Sequence, residues 1–232
     1  MQRREFNHVA WLAMLSGSLM AISARAQGLA SLTSADALGG VRDALATGAK
    51  AAVLQLGQAG GFQNNPKVRI GLPGVLQDAA PLLKATGQGK HLDALVLAMN
   101  EAAEKAVPLA ADLLGNAIKN LSVDDARRIL SGGDTAVTDF FADKTRAALT
   151  AQFLPVVKRS TDQVQLADKY QSVAGRAAKL GLMKKEDADL PGYVTSHALG
   201  GLYQVIGEEE RKIRQNPAQA GTALLKKVFG AL

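Results

Sequence analysis

The chain has no cysteine, one tryptophan, seven prolines and an aromatic content of only 4% over 232 residues. Without cysteine there can be no disulfide, thiolate zinc site, iron–sulfur cluster or cysteine nucleophile. The shortage of aromatic and β-branched residues, which suit a pleated and half-buried surface, excludes a sandwich, a barrel or a large sheet. Strong charge of one sign is missing too. Lys and Arg number 27 against 21 Asp and Glu, and they nowhere run longer than a pair, which excludes the basic stripe of a nucleic-acid binder.

What the chain does have is Ala and Leu, its two commonest residues and the strongest intrinsic helix formers. The expectation is an all-α protein: one irregular bundle of about 7–9 helices, with a single extended loop near residues 62–73.

The first 26 residues read as an export label rather than as part of that bundle. Arg3 and Arg4 form a short positive segment, Val9 to Ile22 is a mainly apolar run of 14 residues, and Ala24 and Ala26 make a small-x-small cleavage pattern. A spanning helix needs about 20 apolar residues, so the run is too short to remain as an anchor. Arg3-Arg4-Glu5-Phe6 carries the core of a twin-arginine signal, although Gln2 and Asn7 depart from its usual flanks and the general secretory route stays open. Cleavage after Ala26 removes Arg3, Arg4 and Arg25 against Glu5, and the formal charge falls from +6 to +4. With no cysteine after the apolar run, a lipid anchor is excluded. The expected address is the periplasm of a Gram-negative bacterium.

Punctuation divides the remainder, residues 27–232, into one helical domain. Ser34 reads as a helix cap, and Leu38, Val41, Leu45, Ala49, Ala52, Val53 and Leu56 repeat at helical spacing up to Gly60-Gly61. Phe62 to Pro73 then breaks the pattern. Asn64-Asn65-Pro66 is a turn signal, and Val68, Ile70 and Leu72 alternate as in extended chain without an evident partner strand. A helix from Pro73 to Gly87 is expected to bury Leu76, Leu82 and Leu83, and one from Lys90 to Asn120 to be kinked or divided at Pro108. Ser122 caps a short helix that stops at Gly132-Gly133, and Asp134 caps the next, which carries Val137, Phe140, Phe141, Leu149 and Phe153 to a break at Pro155. Pieces near 156–166 and 168–180 follow, the latter closed by Gly181. The last long helix runs from Asp189-Leu190-Pro191 to Gln215, stitched by Glu208–Lys212 and Glu210–Arg214, and Ala218 to Phe229 closes the chain.

Several of these blocks carry a resemblance. Gly60-Gly61-Phe62 with Asn64-Asn65-Pro66 and Leu72-Pro73, Ala98 to Glu104 with Val107-Pro108, Ser131-Gly132-Gly133-Asp134, Phe153 to Lys158, Leu180-Gly181-Leu182 through Asp187 to Leu190 with Tyr193-Val194-Thr195, and Glu208-Glu209-Glu210 with Ile213-Arg214 and Pro217 resemble the pattern of bacterial domain of unknown function 4197. The likeness spans nearly all of the chain after the export label. It implies an exported helical protein and brings no activity, cofactor or catalytic residue. Some members carry a lipoprotein anchor, which this cysteine-free chain does not share.

Few residues invite a chemical role. His8, His91 and His197 are not spaced to share a metal, so no metal and no cofactor is expected. His197 stands three residues before Gly200-Gly201, a pair that costs a helix about 1 kcal/mol per glycine and so marks a close helix crossing or the approach of a ligand. Asn100 and Glu104 lie four apart on a helix face other than its main apolar stripe: buried, they make a polar binding point, and exposed, they are merely solvated. Glu101 with Lys105 reads as an ordinary ion pair. Ser131 to Thr135 opens a helix whose free amides attract anions, but Asp134 repels a phosphate there and a plain double cap is the simpler reading. No Gly-x-Ser-x-Gly elbow is present.

The function expected is therefore non-enzymatic: an exported binding or interaction module whose groove between Ala-lined helices takes an apolar small molecule or a helix of an envelope protein. The alternative is a hydrolase-type enzyme in which carboxylates such as Glu101, Glu104, Asp124 or Asp134 meet in a cleft between helices.

Overall fold

A computed structural model of the protein describes residues 33–133, 135–163, 167, 168, 170, 188–219 and 222–230. The export label at 1–26, the cap Asp134 and most of the helical piece expected at 168–180, with Gly181, lie outside the described residues. Among the described residues there are helices, turns and irregular segments but no strand, so the protein is all-α.

Helix α1, Ser34–Leu56, begins at its expected cap, so the true cap lies one residue earlier. Thr33 rather than Ser34 is the cap, because Asp36 stands three residues from Thr33 and completes a capping box: the Asp36 amide donates to Thr33 Oγ1 at 3.0 Å and the Asp36 carboxylate accepts from Thr33. Its buried stripe is Val41, Leu45, Ala49, Ala52 and Leu56, with Val53 partly covered.

Helix α2, Gly74–Ala85, lies at the rim and packs on α3, Gly89–Ala106. Leu76 and Leu83 face the core, whereas Leu82, a step of about 100° around the helix, is 70% exposed and corrects the expectation that it is buried. Pro108 divides the following helix: a 3-10 turn, Val107–Leu109, separates α3 from α4, Ala110–Lys119. Helix α5, Val123–Ser131, has the expected cap Ser122, which Asp125 closes into a capping box, and ends before Gly132.

Helix α6, Ala136–Thr161, runs straight through Pro155 instead of breaking there. The carbonyl that loses its donor belongs to Ala151, and both residues are exposed, so water can serve it. Residues 156–161 are therefore the end of α6 and not a separate piece. Helix α7, Leu190–Gln215, matches its expected limits, with the Gly192 amide donating to Asp189 Oδ1 at 3.0 Å. After a 3-10 turn at Pro217–Gln219, helix α8 covers Ala223–Phe229 and is capped by Thr222, which shortens the closing helix from its expected start at Ala218.

The core forms where α7 packs on α6 and α1, and where α3 packs on α6. Phe141, Leu149, Phe153, Leu202, Tyr203 and Ile206 are all fully buried there. Each apolar side chain of this size contributes about 1.5–3 kcal/mol by leaving water. Within the seam the Tyr203 hydroxyl meets Thr145 Oγ1 at 2.9 Å, and burial raises the Tyr203 phenol above its ordinary value.

Two arginines tie helix ends to this core. Arg42 on α1 donates to the carbonyls of Lys119 and Leu121, both at 2.9 Å. Arg214 on α7 donates to Ile129 and Leu130 at the C-terminal end of α5, where a cation meets the negative pole of the helix. Glu210 pairs with Arg214 at 2.7 Å as expected, but Lys212 pairs with Glu209 and not with Glu208. Glu208 is taken instead by Lys67 at 3.0 Å, a residue of the loop.

Candidate functional site

The irregular segment Gly57 to Pro73 is an ordered loop pressed between α3 and α7, and the expected site residues gather around it. Phe62, Val68 and Ile70 are buried, and Leu72 packs partly against the core. The alternation foreseen at 68, 70 and 72 thus serves a loop facing helices rather than a strand in a sheet.

Two side chains of α3 hold the loop. Glu104, 6% exposed, accepts from three backbone amides: Gly60 at 3.0 Å, Phe62 at 3.0 Å and Gln63 at 3.1 Å. That arrangement needs Gly60 at a φ of +81°, a left-handed conformation favouring glycine, so that successive amides converge on one carboxylate. Asn100 is fully buried one turn earlier. Its Oδ1 accepts from Ile70 at 2.8 Å, while its Nδ2 donates to the carbonyls of Ile70 at 2.9 Å and Val96 at 2.7 Å. The face of α3 outside its apolar stripe is therefore buried by the loop. Its polar residues are paired with backbone rather than left open to solvent.

From the other side α7 approaches the loop closely. A Cβ added to Gly201 would lie 3.0 Å from Phe62 Cε1 and 3.0 Å from Val68 Cβ, so the glycine admits the loop onto the helix. The Tyr193 hydroxyl donates to the Gly71 carbonyl at 3.3 Å, and burial raises that phenol. At Glu208 burial acts upward, but hydrogen bonds from Lys67 and Gln204 outweigh it and hold the carboxyl below its ordinary value.

The loop leaves a groove beside each of its halves. Beside the first half, a cleft of about 660 Å³ is lined by Ala59, Gly60 and Gln63 of the loop and by Leu97, Glu101 and Pro108 of the helices. That volume falls within the range of small-molecule sites, about 300–1,000 Å³. Leu97 is 44% exposed at its wall, and Leu54 and Leu109, three residues before Gly57 and next to Pro108, are exposed as well. Beside the second half, a groove of about 360 Å³ is bordered by Lys67 and Arg69 of the loop and by Ser196, His197, Gly200 and Gln204 of α7. His197 is exposed, with Nδ1 2.8 Å from the Tyr193 carbonyl and its ring 4.1 Å from that of Tyr193. A carbonyl only accepts, so Nδ1 carries the proton.

The structure thus brings Asn100 and Glu104 to one side of the loop and His197 to the groove on the other half. Of the carboxylates of the enzymatic alternative, Glu101 and Glu104 both border the first cleft, but Glu101 pairs with Lys105 at 4.0 Å and Glu104 with the loop amides, while Asp124 lies apart on α5 beside Arg127. Asp134 is outside the described residues. Among the described residues, no three His, Asp or Glu side chains are grouped to hold a metal ion, and no helix is long and apolar enough to cross a membrane. Sequence reasoning passed over Lys67, Arg69, Ser196 and Gln204. For Lys67 and Arg69 the signal was the alternation itself, since the residues flanking buried Val68 point outward, whereas Ser196 and Gln204 on α7 carried no such signal.

By fold and site this is an all-α bundle built around a clamped loop. The family described as a protein of unknown function (DUF4197) matches residues 31–230, and the chain belongs to it. No curated protein and no solved structure matches the chain.

Proposed function

We propose that the protein is an exported, non-enzymatic binding module of the periplasm, and that the cleft beside Gly57 to Asn64 takes an apolar small molecule. The observation that carries this reading is the cleft wall. Leu97, Ala59 and Pro108 give it apolar surface, and the exposed Leu54 and Leu109 extend that surface near its mouth. Glu104 supports the reading by what it does not do: both of its oxygens are occupied by loop amides, so it is poorly placed to act as an acid or base. The same exposed leucines favour, as a second occupant, an apolar helix of an envelope protein. The address rests on Arg3, Arg4 and Phe6, the apolar run to Ile22, and the cleavage pattern Ala24-x-Ala26.

Purification from the periplasmic fraction, followed by mass spectrometry of what accompanies the protein, tests the binding. An apolar compound is expected with the wild type and lost in Leu97→Glu, whereas a bare chain from the native source counts against it. Export is tested separately: Arg3→Lys with Arg4→Lys strands precursor in the cytoplasm, and normal export of that variant rules out the twin-arginine route.

A further inference from the structure

The groove beside the second half of the loop is chemically unlike the cleft beside the first. Lys67 and Glu208 cancel each other at 3.0 Å, and Gln204 Nε2 donates to the second oxygen of Glu208 at 3.2 Å. The guanidinium of Arg69 has no hydrogen-bond or ion-pair partner among the described residues, and no carboxylate borders the groove. One net positive charge is left, on a planar fork suited to a carboxylate.

Acceptors line the same groove. In its neutral form with the proton on Nδ1, His197 offers Nε2 as an acceptor, and Gln204, having spent its amide nitrogen on Glu208, keeps Oε1. The Ser196 hydroxyl can serve either way. Gly200 lines the groove too and meets nothing within 4 Å, so a side chain at that position would project into open space there. Gly201 is needed for the approach of the loop, but no contact inside the protein explains why position 200 is also glycine, at a helix cost of about 1 kcal/mol.

We infer that this groove binds a small monocarboxylate carrying a neighbouring hydrogen-bond donor, such as a hydroxy acid. The carboxylate lies on Arg69, the donor reaches His197 Nε2 or Gln204 Oε1, and the ligand passes over Gly200. A single uncompensated cation matches one negative charge better than the charge of about −1.5 to −2 on a phosphate monoester. The site is separate from the apolar cleft and stands or falls independently of it.

The test is a titration of the isotope-labelled protein, following the backbone amides of residues 67–69 and 196–204, with lactate, acetate, lactamide and inorganic phosphate as probes. Lactate is expected to give saturable shifts and to bind more tightly than acetate, which lacks the donor, and than lactamide, which lacks the charge. Arg69→Gln is expected to weaken lactate about tenfold, as loss of a charge-assisted fork does. Gly200→Leu, which fills only open space, abolishes the shifts while the thermal unfolding midpoint does not fall. The inference is overturned by unsaturable shifts with every probe, by lactamide or phosphate binding as well as lactate, or by wild-type lactate affinity in either variant.

Discussion

The α6–α7 seam and the Gly57 to Pro73 loop are both buried in the same core, yet they are held in place by different physics. The seam is apolar packing along two helices of 26 residues each, with Phe141, Phe153, Leu202 and Ile206 excluded from water and two hydrogen bonds across it, one between Thr145 and the Tyr203 hydroxyl and one from Thr138 to the Tyr203 carbonyl. Each helix satisfies its own backbone there. The loop does so only in part: the amides of Gly61, Asn64, Val68 and Arg69 bond to carbonyls within it, but those of Gly60, Phe62, Gln63 and Ile70 depend on Glu104 and Asn100, which come from about 30 to 44 residues further along the chain. A helix seam tolerates imperfect neighbours because dispersion and the hydrophobic effect are spread over many contacts. A loop with a few polar anchors concentrates its stability in single atoms.

Truncation in each region separates the two. Phe141→Ala empties a fully buried ring site and is expected to cost about 3–5 kcal/mol, read as a lower urea midpoint at unchanged slope. Glu104→Ala leaves three buried or half-buried donors without an acceptor, and a loss of about 3 kcal/mol is expected. The two losses are close in size, so hydrogen exchange makes the distinction. Glu104→Ala should strip protection from Gly60, Phe62 and Gln63 far more than from α6 or α7, whereas Phe141→Ala should lower all sites together. Uniform loss in Glu104→Ala would abolish the contrast. Glu104→Gln keeps an acceptor for Phe62 and Gln63 but turns its amide toward Gly60, so it belongs between the wild type and the alanine variant.

The paired glycines of α7 sharpen the comparison with smaller effects of opposite sign. Gly201→Ala presses a methyl into Phe62 and Val68 and is expected to destabilise by about 1–2 kcal/mol. Gly200→Ala meets nothing and should stabilise by about 0.5–1 kcal/mol through helix propensity. Thermal melts of both variants check this, and a shift of the same sign in the two would refute the close approach of the loop at 201.

The smallest effect is that of pH. Asp125 is held below the ordinary carboxylate range by the Ser122 hydroxyl first, then by the Ser122 amide and Arg128, although its partial burial acts in the opposite sense. A carboxyl depressed in the folded state contributes its stability above its unfolded pKa and loses it as pH falls through the folded value. Asp125→Asn should therefore flatten the acid limb of the stability profile below about pH 4, with a change at neutral pH of no more than about 1 kcal/mol. An unchanged acid limb would sink that assignment.

The helices were legible because a period near 3.6 residues survives local noise, and their ends were legible wherever a cap is a nearest-neighbour matter. Ser122 with Asp125, and Asp189 before Leu190-Pro191, are of that kind. Pro155 misled because the harm done by a proline depends on whether the orphaned carbonyl faces water, which is a tertiary fact. Leu82 misled because a rim helix buries only one face. The pairing of Glu208 with Lys67 had no local signal at all: the two residues are 141 apart in sequence. Asn100 and Glu104 were picked out as a polar pair on a helix face other than the main apolar stripe, but only the packed loop reveals that they answer its backbone.

Asn100 has a consequence that reaches beyond the single molecule. By accepting from the Ile70 amide and donating to the Ile70 carbonyl, its carboxamide does for that residue what a neighbouring strand would do. A lone stretch with Val68, Ile70 and Leu72 in alternation is a ready template for the same stretch in another copy, and the carboxamide occupies its edge at Ile70. Asn100→Ala should therefore turn a stability defect into a solubility one: in moderate urea, light scattering from the variant rises with protein concentration, while Phe141→Ala, matched in stability, stays clear.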